Sequence, residues 1–325
     1  MRYLVTGGLG VIGSYITRRL MDAGREVLVL DSCDELRNEW IKQRLLAYPT
    51  ANGRLTICTD FLGRPMSTDP IIGVDAVIHC AASTGIPYSV TAPEDDWERN
   101  VEGTRALLEA LRKNPKPTVA LSSVKPYRVN VLPLDEDTPL EPDEPYAASK
   151  AAQSMLCVAY AKSYGLPIVT FRCSNLYGPA PCHGPRHGWL TWFCISAAIG
   201  RPIEVQGTGG QSRDMLHAND VYSACMLALE HAAKLKGEVF NLGGGRDNRV
   251  TVSRAAEMLR FATGVEVVNG PARAMDDDHV YVNYGKFLRA VGWRPLMDVE
   301  SGVRDVLTWA LQNKKELEKL YADVR

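Results

Sequence analysis

Arg2-Tyr3-Leu4-Val5-Thr6-Gly7-Gly8-Leu9-Gly10-Val11-Ile12-Gly13 decides the fold. Tyr3 to Val5 is a short apolar run that reads as a buried strand, and a helical pattern follows from Ser14 to Ala23, stopped by Gly24. Between strand and helix each of three glycines has a task. Gly7 permits a tight turn, Gly10 lets the backbone approach a pyrophosphate, and Gly13 lets the helix pack closely on the sheet. Val11 and Ile12 belong to the same cofactor contact, and the helix N-terminus turns its partial positive charge toward the phosphates. A second apolar strand, Glu26 to Leu30, ends in Asp31, placed to accept hydrogen bonds from an adenosine ribose. A carboxylate there repels a 2′-phosphate, so the expected cofactor is NAD, not NADP.

Working outward, strands and helices keep alternating. Leu55 to Cys58 reads as a third strand, ending near Asp60 and Phe61, expected adenine contacts. Ala76 to His79 is the fourth and runs into Cys80-Ala81-Ala82, where Ala81 and Ala82 are small enough for a cofactor to lie close. Thr118 to Ser122 and Ile168 to Arg172 are the fifth and sixth, with helices expected over Asp95 to Lys113 and Pro145 to Tyr164. This alternation specifies an α/β fold: a doubly wound parallel sheet of the Rossmann kind, with ligands beyond the carboxyl ends of the strands. From Cys173 the chain changes character, broken by Pro179, Pro181, Gly184, Pro185 and Gly188, and Glu238 to Asn241 is expected to return to the main sheet. The expected organisation is a cofactor-binding domain over residues 1–172, joined by a returning segment near 213–242. A smaller C-terminal α/β substrate-binding lobe takes 173–212 and 243–325. A helical pattern from Val299 ends in the charged stretch Lys314 to Lys319, read as a solvated face.

Composition narrows the function. The 325 residues carry a net charge of −1, which gives no basis for bulk nucleic-acid or anionic-membrane binding. No run reaches the roughly 18 apolar residues of a transmembrane helix. With a strand expected to begin at Arg2, no signal peptide is expected. Eight cysteines without a CxxC pair are expected to be mostly buried thiols in a reducing cytoplasm. Cys182, His183 and His187 lie close together, but in a Pro/Gly-rich loop without a fourth obvious ligand they read as a substrate loop, and no metal is expected.

The chemistry-bearing residues are Ser123 and the stretch Tyr146-Ala147-Ala148-Ser149-Lys150. Positions four apart share a helix face. Lys150 can therefore sit beside the Tyr146 phenol and favour its phenolate, which matters because a phenol starts near pKa 10. Tyr146 and Lys150 read as a proton-handling pair, with Ser123 as its partner.

Taken in order, these pieces resemble the extended short-chain dehydrogenase/reductases, and within them the nucleotide-sugar epimerase/dehydratase family. The resemblance covers nearly the whole chain. It is carried by the Gly7/Gly10/Gly13 loop, Ser123, Tyr146/Lys150, Arg172-Cys173-Ser174-Asn175-Leu176-Tyr177-Gly178-Pro179, Arg213-Asp214-Met215-Leu216-His217-Ala218-Asn219-Asp220 and Asn241-Leu242-Gly243. It implies an NAD cofactor, a nucleotide-diphosphate-sugar substrate and a homodimer paired through the helices 95–113 and 145–164. Apolar Val101, Leu107, Leu108 and Leu111 on one and Met155, Leu156 and Val158 on the other suit that pairing. By the same resemblance Asn175, Arg213 and Arg273 hold the substrate diphosphate, and Ser123 hydrogen-bonds the reacting oxygen. Thr84 and Lys125 complete the substrate contacts and Asn100 the cofactor contacts. An Arg pair suits a diphosphate through bidentate, charge-assisted bonds; the competing expectation for Arg213 is a salt bridge to Asp214 or Asp220.

The family's 4,6-dehydratases are similar to one another in an Asp-Glu pair just after the catalytic Ser/Thr, where this chain has Val124 and Lys125. Water elimination needs a proton donor; Val124 cannot supply one and Lys125 is a poor replacement for a carboxyl pair, so the expected reaction is epimerisation, with a C4 epimerase of a UDP-sugar or a sugar dehydrogenase/reductase as the alternatives. Among epimerases the chain resembles the CDP-paratose (CDP-tyvelose) 2-epimerase group most. That likeness rests on His187-Gly188-Trp189-Leu190-Thr191-Trp192-Phe193, on Lys125, on Asn38-Glu39-Trp40 and on Arg273-Ala274-Met275-Asp276. Core packing is expected for at least two of Trp189, Trp192 and Phe193.

Overall fold

The computed structural model describes every residue except 35, 61, 63–70, 185–187, 273–278 and 325. The first half of the chain alternates as expected. It runs β1 (Arg2–Thr6), α1 (Val11–Asp22), β2 (Glu26–Asp31), α2 (Leu36–Leu46), β3 (Leu55–Thr59) and β4 (Ala76–His79). Next come α3 (Ile86–Thr91), α4 (Pro93–Trp97), a π-helical turn (Glu98–Glu102), α5 (Gly103–Lys113), β5 (Thr118–Ser123), α6 (Pro145–Tyr164) and β6 (Ile168–Cys173). The second half holds β7 (Asn175–Tyr177), α7 (Trp189–Ile199), β8 (Ile203–Gln206), β9 (Ser212–His217), α8 (Ala218–Glu230) and β10 (Val239–Leu242). It closes with β11 (Arg249–Thr251), α9 (Val252–Thr263), β12 (Val267–Gly270), β13 (His279–Val280), α10 (Gly285–Val291), α11 (Val299–Gln312) and α12 (Lys314–Leu320).

Seven strands form one sheet in the order β10-β6-β5-β4-β1-β2-β3, every pairing parallel. Leu4, Val5, Val29, Val77 and Ile78 are fully buried, as strands covered on both faces by helices require. The chain winds outward from β1 through β2 to β3, then restarts at β4 on the other side of β1. The order reverses there, which opens a crevice at the carboxyl ends of β1 and β4. β10 returns to the far edge beside β6, so the expected returning strand is in place. A separate core of Trp192, Phe193, Ile195, Leu259, Val303 and Val306 lies under α7, α9 and α11.

Local signals set the catalytic helix. α6 begins with Pro145, whose missing N–H costs nothing in a first turn. Glu144 caps it, accepting from Tyr146 N at 2.9 Å and Ala147 N at 3.1 Å, and Gly165 ends it at φ +67°. A cap of this kind stabilises a helix by about 1 kcal/mol.

Three expectations need correction. The helix expected over 95–113 starts at Pro93 and is interrupted by the π-helical turn around Asn100. Val101, Leu107, Leu108 and Leu111 are all buried within the chain itself, while the outer side of α5 carries the ion pairs Arg105–Glu102 and Arg112–Glu109. Leu107, Leu108 and Leu111 pack with Leu4, Val77 and Ala120 of the sheet; of Met155, Leu156 and Val158 on α6, Met155 is exposed, at 61 %. The charged C-terminal stretch is more than a solvated face: Leu317 is fully buried in it. Just beyond, Tyr321 packs against the Trp192 ring and donates to the Cys182 carbonyl at 2.7 Å. Trp192 and Phe193 are buried, with Trp189 half-buried edge-on to Phe193. Among the described residues no helix is long and apolar enough to cross a membrane.

Candidate active site

The cofactor end is built by close backbone packing. A Cβ on Gly7 (φ +65°) would lie 2.6 Å from the Ala81 nitrogen, and one on Gly13 would lie 2.1 Å from the Gly7 carbonyl oxygen. Gly10, by contrast, has open space on its outer side apart from the Gly7 carbonyl at 3.3 Å. It is the N-cap of α1, and no side chain caps that end, so the first N–H groups of the helix, at Val11 and Ile12, stay available to an anion. Asp31 at the end of β2 accepts from Leu9 N at 2.9 Å and Cys33 N at 3.1 Å. Burial pushes its carboxyl above the ordinary range, and these two amides pull it back. Asn38 ties the turn together, donating to Leu9 O and to Asp31, each at 3.3 Å. Asp60 lies alongside, its N–H on the Asp31 carbonyl at 3.1 Å, and Ala81 N donates to Thr6 Oγ1 at 3.3 Å. Ala82 follows in the same part-open loop after β4. An uncapped helix start, room over Gly10 and a buried acidic strand end fit a dinucleotide. Phe61 lies outside the described residues.

The proton-handling end is built by side chains. Ser123, the last residue of β5, hydrogen-bonds the Tyr146 phenol, which favours the phenolate. Ser123 Oγ also accepts from Lys125 N at 3.1 Å. Lys150 is buried and donates from Nζ to the Leu121 carbonyl at 3.2 Å. Burial holds the Lys150 ammonium down to about 8, and burial also drives the Tyr146 phenol above its ordinary 10. Desolvation is the largest influence on the phenol, and the Ser123 hydrogen bond pulls it back down. Beneath lies His79, bonded to Thr6 Oγ1 at 2.7 Å and Thr104 Oγ1 at 3.0 Å.

On the substrate side, Asn175 opens β7, which runs beside β9 carrying Arg213. Arg213 Nη1 donates to the Ser212 carbonyl at 2.9 Å. Its acidic neighbours are occupied elsewhere: Asp214 accepts from Gly244 N, Gly245 N and Val282 N, and Asp220 from Met297 N. Lys125 Nζ lies 3.6 Å from Asp143, and Thr84 is half-buried between β4 and α3. Val124 is buried in a small apolar cluster with Tyr127, Leu134, Val280 and Val282. Arg273 and His187 fall outside the described residues; Cys182 is buried, its thiol 4.0 Å from the Gly184 carbonyl.

Sequence reasoning missed a polar layer under this site. Glu144 joins the Ser89 hydroxyl to the start of α6, and Asp96 joins Ser149 to Asn100. Asp96 and Asn100 sit four apart on one face, the one signal the sequence carried.

The chain is 28% identical to the CDP-paratose 2-epimerase of Salmonella typhi, over 95% of this chain and 99% of that one. The solved UDP-glucose 4-epimerase of Thermotoga maritima with UDP-glucose superposes with a TM-score of 0.84 at 28% identity, covering 97% of this chain and all of that one. A solved dTDP-glucose 4,6-dehydratase double mutant of Streptomyces venezuelae with NAD bound gives 0.84 at 29% identity, covering 98% of this chain and all of that one. Residues 3–243 match the model of the NAD dependent epimerase/dehydratase family, and the chain belongs to that family.

Proposed function

We propose that the protein is an NAD-dependent nucleotide-sugar epimerase, working through a keto-sugar at C2 of a CDP-linked hexose. The observation that carries this reading is the pair of residues after Ser123: Val124, buried among apolar side chains, and Lys125, directed to Asp143. Elimination of water needs an acid at the leaving hydroxyl; no carboxyl stands at these two positions, and Val124 cannot replace one. The family's decarboxylases often carry a Glu in this region, and it is missing too. A 2-epimerase, a 4-epimerase and a dehydratase are all similar to this chain at 28–29% identity. The choice among them therefore rests on these residues, with Lys125 and the Trp189/Trp192/Phe193 segment favouring C2.

Bound NAD supplies the acceptor and donor of hydride. Gly7, Gly10, Val11, Ile12, Gly13, Asp31, Asp60, Phe61, Ala81, Ala82 and Asn100 are its proposed contacts. Tyr146 removes the proton of the reacting hydroxyl and returns one after the ketone has turned over, a step worth typically about 10² to 10⁴-fold. Ser123 shares that proton, and Lys150 holds positive charge beneath it and binds the nicotinamide ribose. Thr84, Lys125, Asn175, Arg213 and Arg273 are the proposed substrate contacts. The same proposal has a homodimer paired through the outer sides of α4–α5 and α6, supported by exposed Trp97 and Met155. It places the enzyme in the cytoplasm, supported by eight free cysteines.

The test uses a CDP-hexose deuterated at C2 and mass spectrometry of the product. Inversion with the label retained and no loss of water is the expected result. Loss of water overturns the epimerase reading. Inversion at C4 keeps an epimerase and moves its carbon; net accumulation of NADH with a keto product makes it a sugar dehydrogenase.

A further inference from the structure

Asp96 is completely buried, a place where a carboxylate stands only if its oxygens are satisfied. Its Oδ2 accepts from the Ser149 hydroxyl at 2.5 Å and its Oδ1 from the Asn100 amide at 3.2 Å. The Asn100 amide also donates to Ser149 Oγ, at 2.9 Å. A carboxylate only accepts, and the single Ser149 proton goes to it or to the Tyr146 carbonyl 3.0 Å away, so both Asn100 N–H groups are directed at these two partners. That leaves Asn100 Oδ1 buried, in one orientation, with no partner. The three residues come from α4, the π-helical turn and α6. Ser149 is the residue before Lys150, on the helical turn that carries Tyr146.

We infer that Asp96 is a positioning residue of the proton-handling site, holding α6 through Ser149 and holding Asn100 with its amide oxygen as an acceptor. This rests on the reading of Tyr146 and Lys150 as the proton-handling pair. Its negative charge also supports the Lys150 ammonium. The other groups around Lys150 are Cys80 and His79 on β4, Cys173 on β6, and Cys157 and Tyr146 on α6 itself. None of these is negative while the thiols and phenol keep their protons, and burial drives all three thiols up. Asp96 is then the carboxylate whose charge favours the Lys150 ammonium against its burial.

The experiment follows the Lys150 Cε carbon by NMR in the lysine-labelled holoenzyme, assigned with Lys150→Met, in wild type and in Asp96→Asn. The expected result is a Lys150 midpoint lower by about one pH unit in Asp96→Asn. Turnover should fall about tenfold or more, with its alkaline limb moved to lower pH by the same step. Ser149→Ala keeps the helix and removes the hydroxyl that donates to the Asp96 carboxylate and ties it to α6. It moves the midpoint the same way by a smaller step, and decides the matter if Asp96→Asn does not fold. A loss of thermal stability with an unmoved Lys150 midpoint in the variants overturns the proposal. Absence of turnover in wild type with every nucleotide sugar counts against the enzymatic reading instead, and the Lys150 midpoint still decides Asp96.

Discussion

The two ends of the crevice are made in different ways. At the cofactor end, Gly7, Gly13 and Asp31 are fixed by backbone: carbonyls and amides at 2.1–2.9 Å from where a Cβ would stand or a carboxylate does. At the proton-handling end side chains do the tying: Ser89 holds the Tyr146 N–H from 57 residues away in sequence, Ser123 bonds the Tyr146 phenol, and Asp96 and Asn100 hold Ser149, the residue before Lys150. A backbone-built site tolerates no added atom. A side-chain-built site tolerates small changes in volume but not in the direction of a hydrogen bond.

The largest effect should come from the side-chain end. Tyr146→Phe removes one oxygen and keeps the ring, so fold and NAD content should survive while turnover falls at least about 10²-fold. Residual activity above about a tenth of wild type would make another group the principal base. Gly13→Ala probes the backbone end in the opposite manner. Its Cβ would meet the Gly7 carbonyl at 2.1 Å, a clash that only backbone movement relieves. Overpacking of this kind costs about 1–3 kcal/mol, and the purified variant should lose both melting temperature and bound nucleotide. A variant that kept its nucleotide would show that the turn is looser than its packing implies.

The contrast also explains what was legible in the sequence. The strand–glycine turn–helix unit is local, and all six strands expected before residue 173 formed within a residue or so of their expected ends. The Tyr146/Lys150 spacing is likewise local. Hydrogen bonds between α3, α4 and α6 are not: nothing in Ser89, Asp96 or Glu144 alone marks a buried polar layer beneath a phenol. The apolar run on α5 was readable as apolar, but only the packing showed that the sheet uses it. The π-helical turn at Asn100 left no mark in the hydrophobic period, because a single wide turn shifts the pattern by only one residue.

A smaller effect tests the acidic end of β2. The purified protein should carry NAD(H) and not NADP(H), measured by chromatography of the nucleotide released on denaturation. Asp31→Ala removes the acceptor that Leu9 and Cys33 share. Retention of NAD should fall about tenfold, the worth of one hydrogen bond to a charged group, and discrimination against NADP should narrow. Predominant NADP(H) in the wild type would mean that Asp31 serves the turn and not the ribose.

The smallest net effect is a cancellation, and it sets a carboxylate held by backbone against an imidazole held by side chains. Asp214 accepts from three backbone N–H groups, and burial pushes its carboxyl up to about 7. His79 sits among Thr6, Thr104 and Gln153, and burial with the nearby Lys150 charge holds its imidazole down to about 3. As pH falls below about 6.5, the unfolded chain protonates His79 while the native one does not, so stability is lost down to about 3. As pH falls below about 7, native Asp214 takes a proton that the unfolded chain refuses until about 3.8, so stability is gained over much the same window. Each contribution between about pH 7.5 and about pH 5 is on the order of 2 kcal/mol, of opposite sign. Urea unfolding at the two pH values separates them. Relative to wild type, His79→Gln should gain about 2 kcal/mol on acidification, and Asp214→Asn should lose a similar amount. If both variants follow the wild-type slope, the two groups titrate in the native protein as they do in water, and neither is buried in the way its bonding implies.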